Sequence, residues 1–428
     1  MRLLYSLLFT LLVPILMLRM LWRSRLAPAY RRRLWERLGY VTLPVDSRPT
    51  LWIHAVSLGE TIAAKPLIER LLLQRPDYRL LITTTTPTGS EQVQQLFGDR
   101  VVHVYAPWDA PFAVKRFLRQ ARPDVLVLME TELWPNMLHY SAVGGCRIML
   151  ANARLSARSA AGYARFPATV RRMLNQLHWV AAQSAADADR FLQLGTDPGR
   201  IAVSGSIKFD SELDEATREE ALSLRSDWQL DFRPSFIMAS THRGEDEVAL
   251  AAFVVLRERF PDLLLVLVPR HPERFEQVYA LIYAAGWSVE RRSSDLPVSS
   301  QTDVLLVDTL GELSLFYGLV DVAVIGGSFI AHGGHNALEA AVWSKPMLCG
   351  ESMFNFAQLT QHLLDAGALV QLQNSPDVAL QLAAQLSQLL ENPGERERRG
   401  RAAMRVIEAN RGALDALFTA LDPLLADR

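Results

Sequence analysis

Short apolar, β-rich runs alternate with amphipathic stretches along nearly the whole chain, and this alternation restricts the fold more than any other feature. The first half offers such runs at 51–56, 80–85, 101–105, 125–129, 147–151, 179–182 and 201–204; the second repeats the scheme at 236–239, 263–268, 304–307, 322–325 and 347–349. Helical patterns, for example 61–73, 111–119 and 185–194, lie between them. Strands that are apolar almost throughout are buried on both faces, which calls for parallel sheets covered by helices. With 428 residues the chain holds two cores, since single cores rarely grow beyond ~250–300 residues. The charged stretch 211–225 has no apolar face wide enough for a core, so the boundary is expected there. The expectation is an α/β protein of two doubly wound, Rossmann-like domains facing a cleft. In such sheets ligands sit beyond the carboxyl ends of the strands.

Composition narrows the function. A net charge of −1 gives no basic field for nucleic acid, and a half-hydrophobic chain is not disordered. Cys146 and Cys349 lie far apart inside apolar runs, as buried thiols of a reducing compartment do.

The amino terminus departs from the globular pattern. Residues 3–18 carry no charge, and the apolar run continues past Arg19 to Trp22, just long enough to span a bilayer, which needs ~20 residues. Arg23, Arg25, Arg31, Arg32, Arg33 and Arg37 follow, with Glu36 the only acid among them. Positive charge beside an apolar segment marks the cytoplasmic side and suits anionic lipid headgroups. Residues 1–22 are therefore expected to be a single membrane anchor, spanning or lying in the membrane plane, with the body of the protein on the cytoplasmic side. A cleaved signal peptide is the rival reading, on the small residues Ala27-Pro28-Ala29; the intervening arginines speak against it.

The strand-end loops carry the chemistry. Gly326 to Glu339 reads G-G-S-F-I-A-H-G-G-H-N-A-L-E between an apolar run and a second apolar-periodic segment. Strand, glycine-rich loop and helix in that order make a phosphate site: the glycines let the backbone approach, and the helix start offers unpaired N–H groups. Ser328, Gly333, Gly334 and His335 are its candidate binding residues. An ordinary strand-to-helix turn would not need so many polar side chains. Arg270 and His271, after Pro269, add a guanidinium and an imidazole suited to phosphate, and Leu310-Gly311-Glu312 follows another strand. In the first half, Glu60 comes just after the first strand, where a capping role is the simplest alternative. Glu130 and Glu132 follow the strand at 125–129, and Lys208 follows the one at 201–204.

The motifs H-A-V-S-L-G-E (54–60), T-E-L-W-P-N (131–136), S-G-S-I-K-F-D (204–210), P-R-H-P-E-R-F (269–275) and G-G-S-F-x-x-H-G-G-H-N-x-L-E (326–339) resemble those of the 3-deoxy-D-manno-octulosonic acid (Kdo) transferases of Gram-negative bacteria. The resemblance runs in order over essentially the whole chain. It implies a GT-B glycosyltransferase, CMP-Kdo as donor and a lipid A precursor (lipid IVA) as acceptor, in lipopolysaccharide core biosynthesis at the inner membrane. It also implies Glu60 as general base, Pro269, Arg270, Leu310, Gly311, Glu312, Asn336, Ala337, Leu338 and Glu339 as CMP contacts, and Glu132 and Lys208 as further cleft positions. One departure is visible: Ala337 and Ala340 stand where the family usually has prolines. The expected divisions are 1–22 as anchor, 23–210 as acceptor domain and 211–428 as CMP-sugar domain, the last helices being free to pack back on the first domain.

The residues suit that chemistry without a cofactor or metal. Arg270, Lys208, His271 and a helix N-terminus would stabilise a departing phosphate, and no D-x-D or His/Asp pair with ligand spacing sits in these loops. Glu60, at a helix start, is expected to have a lowered pKa and to be a weak, ionised base; attack from its side inverts the anomeric centre. Another GT-B enzyme using a UDP-sugar, or a membrane-anchored scaffold without activity, would share the fold.

Overall fold

A computed structural model describes residues 1–25, 28–210 and 213–426. Ala27 of the candidate cleavage site and Ser211, the first residue of the expected second domain, lie outside them. Two compact units result: Met1–Asp210 together with Asn410–Arg428, and Ser211–Ala409.

In the first unit, seven parallel strands are ordered β3-β2-β1-β4-β5-β6-β7. They are β1 (Thr50–His54), β2 (Arg79–Thr84), β3 (Val102–Tyr105), β4 (Pro123–Met129), β5 (Arg147–Ala153), β6 (Trp179–Ala182) and β7 (Ile201–Val203). Alternate residues of β1 feed different cores: Leu51 and Ile53 pack with Leu67, Ile68 and Leu71 on one face, and Trp52 packs with Phe117, Leu126 and Leu128 on the other. That two-sided burial is why the strands read as unbroken apolar runs. The carboxyl-terminal helix Ala413–Ala426 closes the first of these cores with Leu417, Leu421 and Leu425, and the Tyr78 hydroxyl donates to Leu425 O at 2.7 Å.

The second unit has β8 (Ser235–Thr241), β9 (Leu264–Pro269), β10 (Val289–Arg291), β11 (Val304–Leu306), β12 (Val322–Ile325), β13 (Met347–Cys349) and β14 (Leu369–Gln371), again parallel, in the order β10-β11-β9-β8-β12-β13-β14. The edge strands β10 and β14 escape a reading by apolar runs. Each is three residues long and partly exposed, so nothing selects for continuous hydrophobicity there. Cys146 and Cys349 are buried free thiols.

The strand order reverses direction between β1 and β4 in the first sheet and between β8 and β12 in the second. At such a point the helices on either side diverge and leave a crevice at the strands' carboxyl ends.

Helix α1 (Arg2–Arg23) is the one helix among the described residues long and apolar enough to cross a membrane. It does not stand alone. Val13 packs with Ala110 and Ala113, with Phe9 and Met17 alongside. Arg2 Nη1 and Ser6 Oγ donate to Asn136 Oδ1 at 3.2 and 2.7 Å. Leu3, Leu4, Leu7, Leu8, Leu11, Ile15, Leu18 and Trp22 remain exposed along its other side.

Candidate active site

At the switch point of the first sheet, the chain leaving β1 turns into helix α2 (Leu58–Gln74), and Ser57 caps it by accepting the Glu60 N–H. The Glu60 carboxylate reaches back: Oε2 accepts the Val56 N–H at 2.9 Å and Oε1 the Ser57 hydroxyl at 3.0 Å. Glu60 thus has the capping geometry, yet it is only 7% exposed. Burial, together with the charges of Glu132 and Glu130, pushes its pKa up to about 8 despite those hydrogen bonds. This is the opposite of the shift expected from the helix dipole. Desolvation outweighs the dipole here because the carboxylate has lost most of its water.

β4 delivers the two other acids. Glu130 sits at φ 55°, a strained conformation for a residue with a Cβ, and Lys208 Nζ lies 3.5 Å from its Oε1. Glu132 accepts the Trp134 indole N–H at 2.7 Å, and burial followed by the Glu130 charge raises its pKa. His54, at the end of β1, is fully buried against Trp134 and held neutral by burial, with its pKa down at about 3. The fold therefore brings Glu60, Glu130, Glu132 and Lys208 to one strand-end region.

At the switch point of the second sheet, His242 follows β8 and the glycine-rich loop follows β12. Gly326 has to be glycine: a Cβ there would lie 2.5 Å from Ala239 O and 2.7 Å from Ser240 O of β8. Glu245, fully buried, ties the two segments together by accepting the N–H groups of His242 (2.9 Å), Gly327 (2.8 Å) and Phe329 (3.0 Å). His242 Nε2 and His335 Nε2 are 2.9 Å apart, and the His332 and His271 rings lie 4.1 and 5.3 Å from the His242 ring, centre to centre. Burial first, then neighbouring imidazoles and arginines, lowers His242 to about 4 and His335 to about 3. Both rings are therefore neutral near pH 7. Arg270, just past β9, is exposed and makes no ion pair among the described residues. Arg274, by contrast, is tied to Asp246.

The remaining candidates divide. Gly333 and Gly334 take φ of 100° and 74°, and His335 is joined to the cluster above. Asn336 Oδ1 accepts the Leu338 N–H at 3.2 Å, capping the short helix Leu338–Val342, whose N-cap is Ala337. Five residues make a much smaller dipole than the full helix expected after Gly334, so the N–H groups of the loop matter more than a macrodipole. Glu339 is half-buried, and desolvation raises its pKa against the pull of Arg270 and Asn336. Leu310 is exposed, Gly311 has φ 88°, and Glu312 is paired with Arg292 at 2.8 Å. Ser328 departs from its expected part as a binding group: it is fully buried, donates to Ile325 O at 2.5 Å and accepts the Gly350 N–H at 2.7 Å. It holds the loop.

The sequence reading passed over His242 and Glu245. Their signal is the segment T-H-R-G-E directly after a strand, but no spacing rule links His242 to imidazoles some ninety residues away.

Two parallel seven-stranded sheets, each with polar residues at its switch point, define a GT-B-type glycosyltransferase architecture. Solved structures agree on the fold. A UDP-GlcNAc 2-epimerase from Neisseria meningitidis matches with a TM-score of 0.61 at 13% identity, over 88% of this chain and 100% of that one. A glycosyltransferase from Rickettsia africae matches with 0.57 at 12%, over 90% and 100%. In sequence, the family described as 3-deoxy-D-manno-octulosonic-acid transferase (kdotransferase) matches residues 32–211. The 3-deoxy-D-manno-octulosonic acid transferase of Haemophilus influenzae is 40% identical over 93% of both chains, and that of Bordetella pertussis 36% over 89% of both. This chain belongs to the Kdo transferase family, and it is an enzyme, a glycosyltransferase.

Proposed function

We propose that the enzyme transfers Kdo from CMP-Kdo to a lipid A precursor of the lipid IVA type with inversion, the second unit binding the donor and the first supplying the base. The observation that carries this reading is Glu60: a buried carboxylate at a sheet switch point whose pKa is pushed up to about 8. A base matched to neutral or slightly alkaline pH removes a hydroxyl proton far better than an ordinary glutamate. As the acceptor oxygen bonds to the anomeric carbon, its proton passes to Glu60 and the bond to the CMP phosphate breaks. The phosphate leaves as a dianion, and Arg270 and His271, with the N–H groups of the Gly333–Glu339 loop, would take up that charge. Pro269, the Leu310–Glu312 loop and Asn336–Glu339 would hold the rest of CMP. The test is a thermal-shift comparison: CMP should raise the melting temperature of the purified protein, and UDP at the same concentration should not. A larger shift with UDP would overturn the donor assignment.

The same reading places the enzyme on the cytoplasmic face of the inner membrane, held by α1 lying in the membrane plane. Contacts from Arg2 to Met17 run over about 22 Å of the helix at 1.5 Å per residue, so that length is not available to cross a bilayer alone. The exposed leucine side and Trp22 suit the acyl boundary, while Arg19 and Arg23 suit anionic headgroups. A cysteine placed at Leu3 should react with an impermeant reagent only from the cytoplasmic side; labelling from the periplasmic side would establish a span instead.

A further inference from the structure

The histidine cluster has a second property that glycosyl transfer does not use. His242, His332 and His335 each offer a ring nitrogen, and these atoms all lie within 4.8 Å of one another. Three imidazoles that close are rarely a packing accident, because each carries polar atoms that must find partners.

The surrounding chain is shaped to hold them. His332 and His335 flank Gly333 and Gly334, whose φ of 100° and 74° fold the loop back so that both rings approach His242. Gly327, at φ 67°, leaves the space they occupy: a Cβ there would be 2.8 Å from His335 Cδ2 and 3.4 Å from His332 Cδ2. Glu245 fixes the backbone of both contributing segments through the N–H groups of His242, Gly327 and Phe329. The site is thus pre-formed on the carboxyl ends of β8 and β12.

The geometry points to a binding site for one late first-row divalent cation, of the Zn2+, Co2+ or Ni2+ class, held by the imidazoles of His242, His332 and His335. Such ions bind imidazole nitrogen at about 2.0–2.1 Å, which places two ligand nitrogens of a tetrahedral site roughly 3.3 Å apart. The His242–His335 separation of 2.9 Å needs only a small opening to reach that value. In the metal-free protein one Nε2–H donates to the other Nε2; when the ion binds both Nε2 atoms, that proton is exchanged through solvent onto Nδ1 of its own ring, so both ligands stay neutral. Burial keeps His242 and His335 in the neutral form that a metal requires. Three protein ligands leave a fourth position for water or an oxygen anion. Asp246 neutralises Arg274, so Arg270 is the main positive charge opposing the ion.

Arg270 also separates this site from an anion site built of the same rings. A cation site gains affinity when Arg270 is removed, whereas a phosphate or carboxylate site loses it.

The experiment is a titration of the untagged, full-length, chelator-treated protein with Co2+, followed by visible absorption. The expected result is one equivalent bound, with the intense bands of low-coordinate cobalt, bleached by Zn2+. His332→Ala, at an exposed position, should weaken binding at least about tenfold, the lower end of what losing even an outer-shell partner costs. Arg270→Ala should tighten it. The proposal is overturned if no such spectrum develops, if His332→Ala and His335→Ala leave binding unchanged, or if Arg270→Ala weakens it. The titration reads metal binding alone, so its failure leaves the donor assignment standing, and failure of CMP binding leaves the metal site standing.

Discussion

At the switch point of the first sheet three carboxylates crowd together, with Lys208 the cation beside them; at that of the second sheet four imidazoles gather beside Arg270. The strands beneath are of one kind, parallel and buried on both faces. What differs is which charge the crevice favours. Burial acts on both sets through the same desolvation, raising Glu60 and lowering His242 and His335, so both become neutral or nearly so near pH 7. The first crevice then holds a carboxyl that becomes a proton acceptor as pH rises toward about 8, and the second holds neutral His242 and His335 beside the charge of Arg270.

The largest effect expected from this contrast is in the first unit. Glu60→Gln, close in shape and unable to take a proton, should lower Kdo transfer at least ~100-fold while the protein stays folded. Near-normal turnover would reduce Glu60 to a helix cap. In the second unit, Arg270→Ala should weaken CMP by about 1.5–3 kcal/mol, as expected for a lost charge-assisted hydrogen bond, and leave cytidine binding almost unchanged. Equal losses for both ligands would mean that Arg270 supports the loop.

A smaller effect concerns the crowding of the acids. The base must be unprotonated, so kcat/KM should rise with pH and level off above about 8. Glu132→Gln removes one neighbouring charge and should move that rise to lower pH. Stability runs the other way. The raised Glu60 contributes fully below its ordinary carboxyl range and loses that contribution as pH climbs through about 8, so Glu60→Gln should melt higher than the parent at pH 9. An unmoved profile in Glu132→Gln would separate the two acids. The smallest effect is Ser328→Ala, which leaves the buried Gly350 N–H without its partner and should cost about 1–3 kcal/mol of stability with the CMP affinity unchanged.

Much of the fold was legible because its strands are central. Residues such as 51–54, 125–129 and 322–325 are apolar on both faces and announce themselves, whereas Val289–Arg291 and Leu369–Gln371 sit at sheet edges and do not. The strand-end rule led to Glu60, Glu132, Arg270 and the glycine-rich loop. The helix-dipole argument misjudged the ionisation of Glu60, since dipole and burial compete and burial is a tertiary property. Ser328 looked like a ligand because its neighbours do; its environment, sealed between Ile325 and Gly350, is a tertiary fact. The partnership of His242 with His332 and His335 likewise arises from β8 and β12 being neighbours in the sheet.

The central claim is that donor binding and base catalysis belong to different units. It is tested most directly by measuring CMP affinity and Kdo transfer on one preparation of Glu60→Gln. An unchanged Kd for CMP with transfer lost is the predicted result; CMP affinity falling in step with transfer would contradict the division.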